Sequence, residues 1–303
     1  MSFSLNVKKE LISSIPNARH CRIAELAAVT AMSAVLRDGR IELSSENETV
    51  NECFAALFKK LTGKDPERET AVEKAGRKKT CVTELTEKET EELKKLLKLQ
   101  DGLLPGKVVV QQTCCKRAFL KGAFIACGSI SNPEKDYHLE FVLDDREKAA
   151  LTAELITSFG IEAKIVNRKK YNVVYLKDGE HIVDVLNIMG AHVSLMELEN
   201  VRIVKEMRNS INRRVNCEAA NIGKTIAAAT RQIEDIQFLN DTVGLDSLSD
   251  ELRTTALLRL EFPDASLAEL GEKHDRRVGR SGVNHRLQKL SDMAERLRSG
   301  KPG

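Results

Sequence analysis

Two stretches decide the fold of this chain: AMSAVLRDG at residues 31–39 and LKGAFIACG at residues 120–128. Each is dominated by small and apolar residues and ends in glycine. The first pattern predicts a helix over 23–36 that is buried on most sides and stops at Asp38-Gly39. The second predicts a helix over 117–126 that stops at Gly128. Small residues on both helices allow them to pack very closely.

The elements around these helices recur in the same order. Each buried helix is followed by extended residues, a second helix (50–61 and 145–159), a hairpin (67–84 and 161–176) and a third helix (86–97 and 179–189). The hairpin turns share the letters RKK, at 77–79 and 168–170. We therefore interpret residues 1–192 as two copies of one α/β unit, about 1–100 and 113–192. The first copy has one short strand at 40–43 where the second has a pair, so we expect it to lack most of one strand.

The two buried helices resemble the LAGLIDADG helices of homing-endonuclease folds. The resemblance implies that they pack side by side on a pseudo-twofold axis, and that the residue before each final glycine holds the metals that cleave DNA. Those residues are here Asp38 and Cys127. Two-metal hydrolysis needs oxygen ligands for magnesium, and a mostly protonated thiol is a poor one. We therefore expect no catalytic residues, with Asp38 and Cys127 as degenerate positions.

The strand patterns end at residue 192. Residues 193–245 predict a basic, mostly helical connector, with seven basic and two acidic residues between Val201 and Arg231. Residues 246–303 predict three helices in the order of a helix-turn-helix, although the loop before the third is longer than usual. The second begins at a capping box of Ser266 with Glu269. Ser281 caps the third, whose inward positions are Val283, Leu287, Leu290 and Leu297. The expected fold class is therefore α+β, a duplicated domain followed by an all-α helix-turn-helix domain.

The outward face of the third helix carries side chains that pair with base edges in the major groove. They are Asn284, His285, Arg286, Gln288 and Lys289, with Ser281 and Gly282 at the helix start and the phosphate-contacting candidates Arg276, Arg277 and Arg280 before it. Residues 246–272 hold two basic against seven acidic residues, whereas 273–298 hold eight against three, so positive charge is concentrated on the element that would meet DNA. The alternative is a solvated face of a three-helix bundle.

Particular strings resemble the WhiA family over nearly the whole chain: VKKEL at 7–11, RAFLKGAF at 117–124, NRRVNCEAAN at 212–221, PDASLAELG at 263–271 and SGVNHRL at 281–287. The resemblance implies a DNA-binding regulator of Gram-positive bacteria that has lost nuclease activity. It further implies control of sporulation genes, or a link to cell division and chromosome segregation.

Composition excludes other classes. The chain has 303 residues, a net charge of +3, no Trp and 4% aromatic residues, which disfavours stacking of single-stranded bases. No apolar run is long enough to span a membrane. The seven cysteines include no CxxC pattern, and the six histidines do not flank them at ligand spacing, so we expect reduced thiols in the cytoplasm and no zinc site. An alternative interpretation of the adjacent cysteines Cys114 and Cys115 is that they are redox-active.

These patterns predict a non-enzymatic, sequence-specific DNA-binding regulator that needs no cofactor. Its expected partners are double-stranded DNA and proteins of the transcription or division machinery, and its expected place is the nucleoid. Two alternatives stay open: a scaffold of the division or segregation machinery, and a metal-dependent endonuclease.

Overall fold

The computed structural model describes residues 2–71, 80–100 and 103–300, which fall into two compact units, Met1–Glu206 and Met207–Gly303. The N-terminal unit combines helices with two sheets, and the C-terminal unit is helical. No helix in the described ranges is long and apolar enough to cross a membrane.

The N-terminal unit contains the two expected copies. The elements of the first are α1 (Phe3–Ile12), α2 (Arg19–Ser33), β1 (Ala34–Arg37), β2 (Arg40–Ser45), α3 (Glu48–Thr62), β3 (Glu67–Ala71), β4 (Thr80–Glu84) and α4 (Glu87–Leu97). A short 3-10 turn at Lys107–Val110 leads into the second copy. Its elements are α5 (Thr113–Cys127), β5 (Gly128–Ile130), β6 (Leu139–Leu143), α6 (Arg146–Thr157), β7 (Lys164–Arg168), β8 (Tyr171–Leu176) and α7 (Gly179–Met189).

The expectation that the first copy lacks a strand is wrong. Its four-stranded sheet has the order β1-β2-β4-β3, and the second sheet has the matching order β5-β6-β8-β7. Strand β1 consists of residues that were predicted to end a helix. The backbone becomes extended at Ala34 (ψ 153°). Strand β1 then pairs antiparallel with β2, from Ala34 opposite Leu43 to Arg37 opposite Arg40. The predicted first hairpin turn, 75–79, lies outside the described residues.

Asp38 and Gly39 form the tight turn between β1 and β2, not a helix end. Both have left-handed φ values, 47° and 79°. Positive φ at both central residues is the signature of a two-residue type I′ hairpin, and Asp-Gly is a preferred pair there. The same dipeptide also resembles a helix stop, which explains the wrong prediction.

Helices α2 and α5 pack against each other at the centre of this unit. A Cβ atom on Gly122 would lie 2.5 Å from the Glu25 carbonyl oxygen and 3.0 Å from the Ala28 Cβ, so glycine is required for this close approach. Both helices are almost fully buried in one hydrophobic core, with Leu26, Phe119, Leu120 and Phe124 completely inaccessible. The sequence prediction of two buried, closely packed helices therefore agrees with the structure.

The predicted connector is a single long helix, α8 (His192–Thr242). Its first turn is tied to α1, since the Glu10 carboxylate accepts hydrogen bonds from the Val193 and Ser194 amides at 2.7 and 2.9 Å. Residues up to Glu206 belong to the N-terminal unit, and those from Met207 belong to the C-terminal unit.

The C-terminal unit packs three further helices against the end of α8. They are α9 (Asp250–Glu261), α10 (Leu267–Glu272) and α11 (Arg280–Arg298). Their core contains Ala256, Leu270, Val283, Leu287, Leu290 and Ala294, with Ile236 and Leu239 contributed by α8. Leu297, expected to face inward, is 42% exposed, because the buried side of α11 ends at Ala294.

Candidate nucleic-acid interface

The loop before α11 approaches α10 closely. A Cβ atom on Gly271 would lie 2.1 Å from the Val278 carbonyl oxygen, and the Val278 amide donates a hydrogen bond to the Gly271 carbonyl at 3.0 Å. The capping box of Ser266 and Glu269 is present and starts α10 as predicted. These contacts fix α10 and the beginning of α11 relative to each other.

Most of the predicted DNA-binding side chains are exposed. Asn284, His285, Gln288 and Lys289 project from the side of α11 opposite its buried residues, while Arg276, Arg277, Arg280 and Ser281 are exposed at its start. Within the described residues the side chains of Asn284, His285 and Lys289 make no hydrogen bond or ion pair with the protein. Arg277 pairs with Glu272 at 3.0 Å, and Gln288 donates a hydrogen bond to Asp292 at 2.9 Å. The exposed face therefore combines amide, imidazole and cationic groups.

Arg286 does not share that face, contrary to the prediction. Its side chain is 20% exposed and lies 3.3 Å from the Glu251 carboxylate of α9. Glu251 is more exposed, at 73%. The guanidinium joins α11 to α9 along the bundle surface.

The start of α11 also differs from the prediction in two details. Gly279, not Ser281, is the N-cap, and no side chain caps the helix. A Cβ atom on Gly282 would meet the Val278 side chain at 2.8 Å, so this glycine accommodates protein packing, not an approach to phosphate. Because the first-turn amides of α11 lack a side-chain cap, they remain suited to an anion such as phosphate.

The C-terminal ends of α2 and α5 carry Ser33 and Cys127. The Ser33 Oγ donates to the Val29 carbonyl at 2.6 Å and the Cys127 Sγ to the Ala123 carbonyl at 3.3 Å, so the two residues make the same local contact. Asp38 lies in the turn beyond β1 and not at a helix end, so the predicted equivalence of Asp38 and Cys127 is wrong. Burial raises the pKa of the Cys127 thiol to about 12. Neither helix ends in a carboxylate.

Two acids near these helix ends, Asp144 and Asp145, are engaged by other groups. A cavity of about 450 Å³ beside them is lined by Ala34, Leu36, Asp144 and Lys148 among others. Asp144 pairs with Lys148 at 3.0 Å. Asp145 caps α6 by accepting the Glu147 amide at 2.6 Å.

A buried ion pair that was not predicted from the sequence joins the middles of α2 and α5. The Lys121 Nζ lies 3.0 Å from the Glu25 carboxylate, and the two side chains are 6% and 1% exposed. Lys121 also donates to the Ser14 carbonyl. Burial raises the pKa of Glu25 to about 7, although Lys121 opposes the shift.

Comparison with known proteins identifies the family. The model of the WhiA LAGLIDADG-like domain matches residues 116–208, and that of the WhiA C-terminal HTH domain matches 211–294. A "Probable cell division protein WhiA" from Lachnoclostridium phytofermentans is 48% identical, covering 98% of this chain and all of that protein. A protein of the same name from Alkaliphilus oremlandii is 44% identical, covering 99% of each. The chain belongs to the WhiA family.

The fold agrees with that of a solved WhiA protein. Full-length DUF199/WhiA from Thermatoga maritima is 27% identical, covers 98% of this chain and 99% of its own, and has a TM-score of 0.62. The two fold classes expected from the sequence, LAGLIDADG-like and helix-turn-helix, are therefore confirmed in this WhiA chain. The helix-turn-helix domain implies DNA binding.

The prediction that the chain has no zinc site overlooked a cluster of possible ligands at the N-terminal ends of α2 and α5. His20, Cys21, Cys114 and Cys115 place one ligand atom each within 4.8 Å of one another. No ligand-spacing motif is visible because the two pairs come from different repeats. The four residues become visible when the two repeats are aligned. His20 then stands opposite Cys114 and Cys21 opposite Cys115, because 94 residues separate the members of each pair.

Proposed function

We propose that this WhiA chain is a sequence-specific DNA-binding transcription regulator that acts in the cell-division programme and does not cleave DNA. The observation that carries the proposal is the exposed face of α11, whose Asn284, His285 and Lys289 side chains have no partner among the described residues, while the opposite side of the helix is buried in the core of its unit. Amide and cationic side chains on such a helix read base edges. The names of the relatives support cell division as the setting, while control of sporulation genes or of chromosome segregation rests on the family resemblance alone.

The proposal assigns base reading to the middle of the face and phosphate contact to its start. Asn284, His285, Gln288 and Lys289 would enter the major groove, while Arg276, Arg277, Arg280 and Ser281 would lie along the phosphates. Arg286 would position α11 through Glu251 and not read a base. The expected location is the nucleoid in the cytoplasm.

Binding measurements on cognate and random duplexes test this assignment. Asn284→Ala is expected to cost about 1–3 kcal/mol on cognate DNA only, because a lost base contact relaxes discrimination. Arg280→Ala is expected to weaken both duplexes alike and to reduce the salt slope by about 0.9. The matched control is Arg296→Ala, which removes the same charge from the exposed far end of α11. If Asn284→Ala leaves the cognate-to-random ratio unchanged, α11 does not read the sequence.

A genome-wide occupancy map separates a regulator from a scaffold. A regulator gives discrete promoter peaks that Asn284→Ala abolishes, whereas a scaffold of the division or segregation machinery gives diffuse coverage.

Absence of cleavage is a separate part of the proposal. Its support is that α2 and α5 end in Ser33 and Cys127, which offer no carboxylate to a divalent metal. Purified protein with magnesium or manganese is expected to leave supercoiled plasmid intact. Chelator-sensitive nicking by homogeneous protein would contradict it.

A further inference from the structure

The first turns of α2 and α5 bring three thiols and one imidazole together. The His20 Nδ1 lies 3.2 Å from the Cys115 Sγ, 3.4 Å from the Cys21 Sγ and 3.9 Å from the Cys114 Sγ. His20 and Cys21 occupy the second and third positions of α2, and Cys114 and Cys115 occupy the same positions of α5. The pseudo-twofold arrangement of the repeats therefore creates the cluster.

The composition and spacing of the cluster fit tetrahedral zinc. A zinc ion with Zn–S bonds of about 2.3 Å and Zn–N bonds of about 2.0–2.1 Å has ligand atoms roughly 3.5–3.8 Å apart. The three measured separations, 3.2, 3.4 and 3.9 Å, bracket that range. A Cys₃His set is a structural zinc type that leaves no position open for substrate. Soft thiolates also select against magnesium and calcium.

The helix ends at the cluster favour thiolate ligands and the site is open to an entering metal, whereas burial raises the pKa of the Cys21 and Cys115 thiols in the metal-free protein. Neither α2 nor α5 has a side-chain N-cap or an acidic residue in its first turn, so the positive ends of both helices face the cluster uncompensated. Cys21 and Cys115 are buried, whereas His20 and Cys114 are exposed. A cavity of about 230 Å³ lined by His20, Gln112 and Cys115 opens beside them.

We propose that His20, Cys21, Cys114 and Cys115 bind one structural zinc ion that clamps the N-terminal ends of α2 and α5 together. The clamp joins the two repeats where each central helix begins, at the ends opposite Ser33 and Cys127. It is independent of the proposed DNA reading by α11.

Metal analysis of the untagged full chain, purified under reducing conditions without added metal, tests the site. We expect about one zinc per chain by mass spectrometry. We expect His20→Ala and Cys114→Ser, both at exposed positions, to lose most of it. Cys217→Ser is the matched control, because Cys217 is an exposed thiol on α8 outside the cluster, and it is expected to retain full zinc.

Cobalt substitution gives a readout of the ligands themselves. Addition of Co²⁺ to the metal-free protein is expected to produce the visible bands of tetrahedral cobalt and an ultraviolet thiolate-to-cobalt band. Both should weaken in Cys114→Ser and persist in Cys217→Ser.

Two results would overturn the proposal. One is folded wild-type protein that contains no zinc and gives no tetrahedral cobalt spectrum. The other is zinc that stays at the wild-type level in both His20→Ala and Cys114→Ser. If the first result is accompanied by a disulfide among Cys21, Cys114 and Cys115, the cluster is a redox pair and not a zinc clamp. DNA binding by α11 is measured separately, so its failure does not affect this test.

Discussion

The two central helices, α2 and α5, have the same length and surroundings but different side chains at equivalent positions. Both span fifteen residues and continue directly into an edge strand. At their beginnings, equivalent residues converge on a metal-ligand set. In the middle, Ala28 of α2 lies so near its equivalent, Gly122 of α5, that a Cβ atom on the glycine would be 3.0 Å from the Ala28 Cβ. At their ends, both lack the acid of an active nuclease.

The buried ion pair shows that a charge present on only one of the two helices needs an opposite charge on the other. Glu25 corresponds to Phe119 in the other helix, and Lys121 corresponds to Ala27, so neither charge is repeated. The single carboxylate is nevertheless met by the single ammonium at 3.0 Å. A duplicated core can therefore diverge where the change on one helix is complemented on the other.

The largest effect is expected from breaking that complementarity. Lys121→Met leaves the Glu25 carboxylate buried and unpaired, which costs about 3–5 kcal/mol of unfolding free energy. Calorimetry of the N-terminal unit's transition at pH 8 measures it in the full chain. The double variant Glu25→Leu with Lys121→Met should recover most of the loss, since an apolar pair of similar volume replaces a buried ion pair at little cost. A double variant as unstable as the single one would show that Lys121 acts through the Ser14 carbonyl instead.

The same pair predicts a dependence of stability on pH. Burial raises the pKa of Glu25 from 4.5 to about 7 in the folded protein. The folded state therefore binds this proton more tightly, and the associated stability is present below pH 4.5 and lost as pH rises to 7. The shift corresponds to roughly 3 kcal/mol. Subtracting the stability profile of Glu25→Gln from that of the wild type isolates this contribution, and a flat difference between pH 4.5 and 7 would contradict the shift.

A smaller effect is expected from the helix contact itself. Gly122→Ala places a methyl group 2.5 Å from the Glu25 carbonyl oxygen, so α2 and α5 must separate. Overpacking of this kind costs about 1–3 kcal/mol. Gly223→Ala is the control, because Gly223 lies within α8 with open space around it and alanine favours helix by about 0.5–1 kcal/mol. Equal melting temperatures for the Gly122→Ala variant and the wild type would mean that the helices are not held at this distance.

The sequence predicted the elements whose patterns are local. The second repeat, the capping box and the buried sides of α2 and α5 follow from periodicity and from local residue types such as Ser266 and Glu269. The Asp38-Gly39 turn failed because one dipeptide serves as both a helix stop and a hairpin turn. Only the pairing of β1 with β2, which is not local, distinguishes the two.

The candidate sites were less predictable because they depend on which helix faces are covered. The spacing of α11 indicated an outward Arg286, but Glu251 on α9 draws that side chain towards the bundle. The cluster of His20, Cys21, Cys114 and Cys115 was missed because a search for short-range spacing cannot detect ligands that come from two repeats. Aligning the repeats before searching for ligands supplies the missing information.

The smallest effect is expected at the C-terminal ends of α2 and α5, where restoring acids should produce no nuclease. Ser33→Asp combined with Cys127→Asp supplies two carboxylates, but two-metal hydrolysis also needs their orientation by surrounding groups. At position 127, Lys8 and Lys148 are close enough to act on the Cys127 thiol, so they would neutralise a carboxylate there before magnesium could bind. We expect the double variant to leave supercoiled plasmid intact with magnesium or manganese. Nicking by that variant, abolished by a chelator and absent from the wild type, would show that this WhiA chain retains the geometry of a nuclease and lacks only its acids.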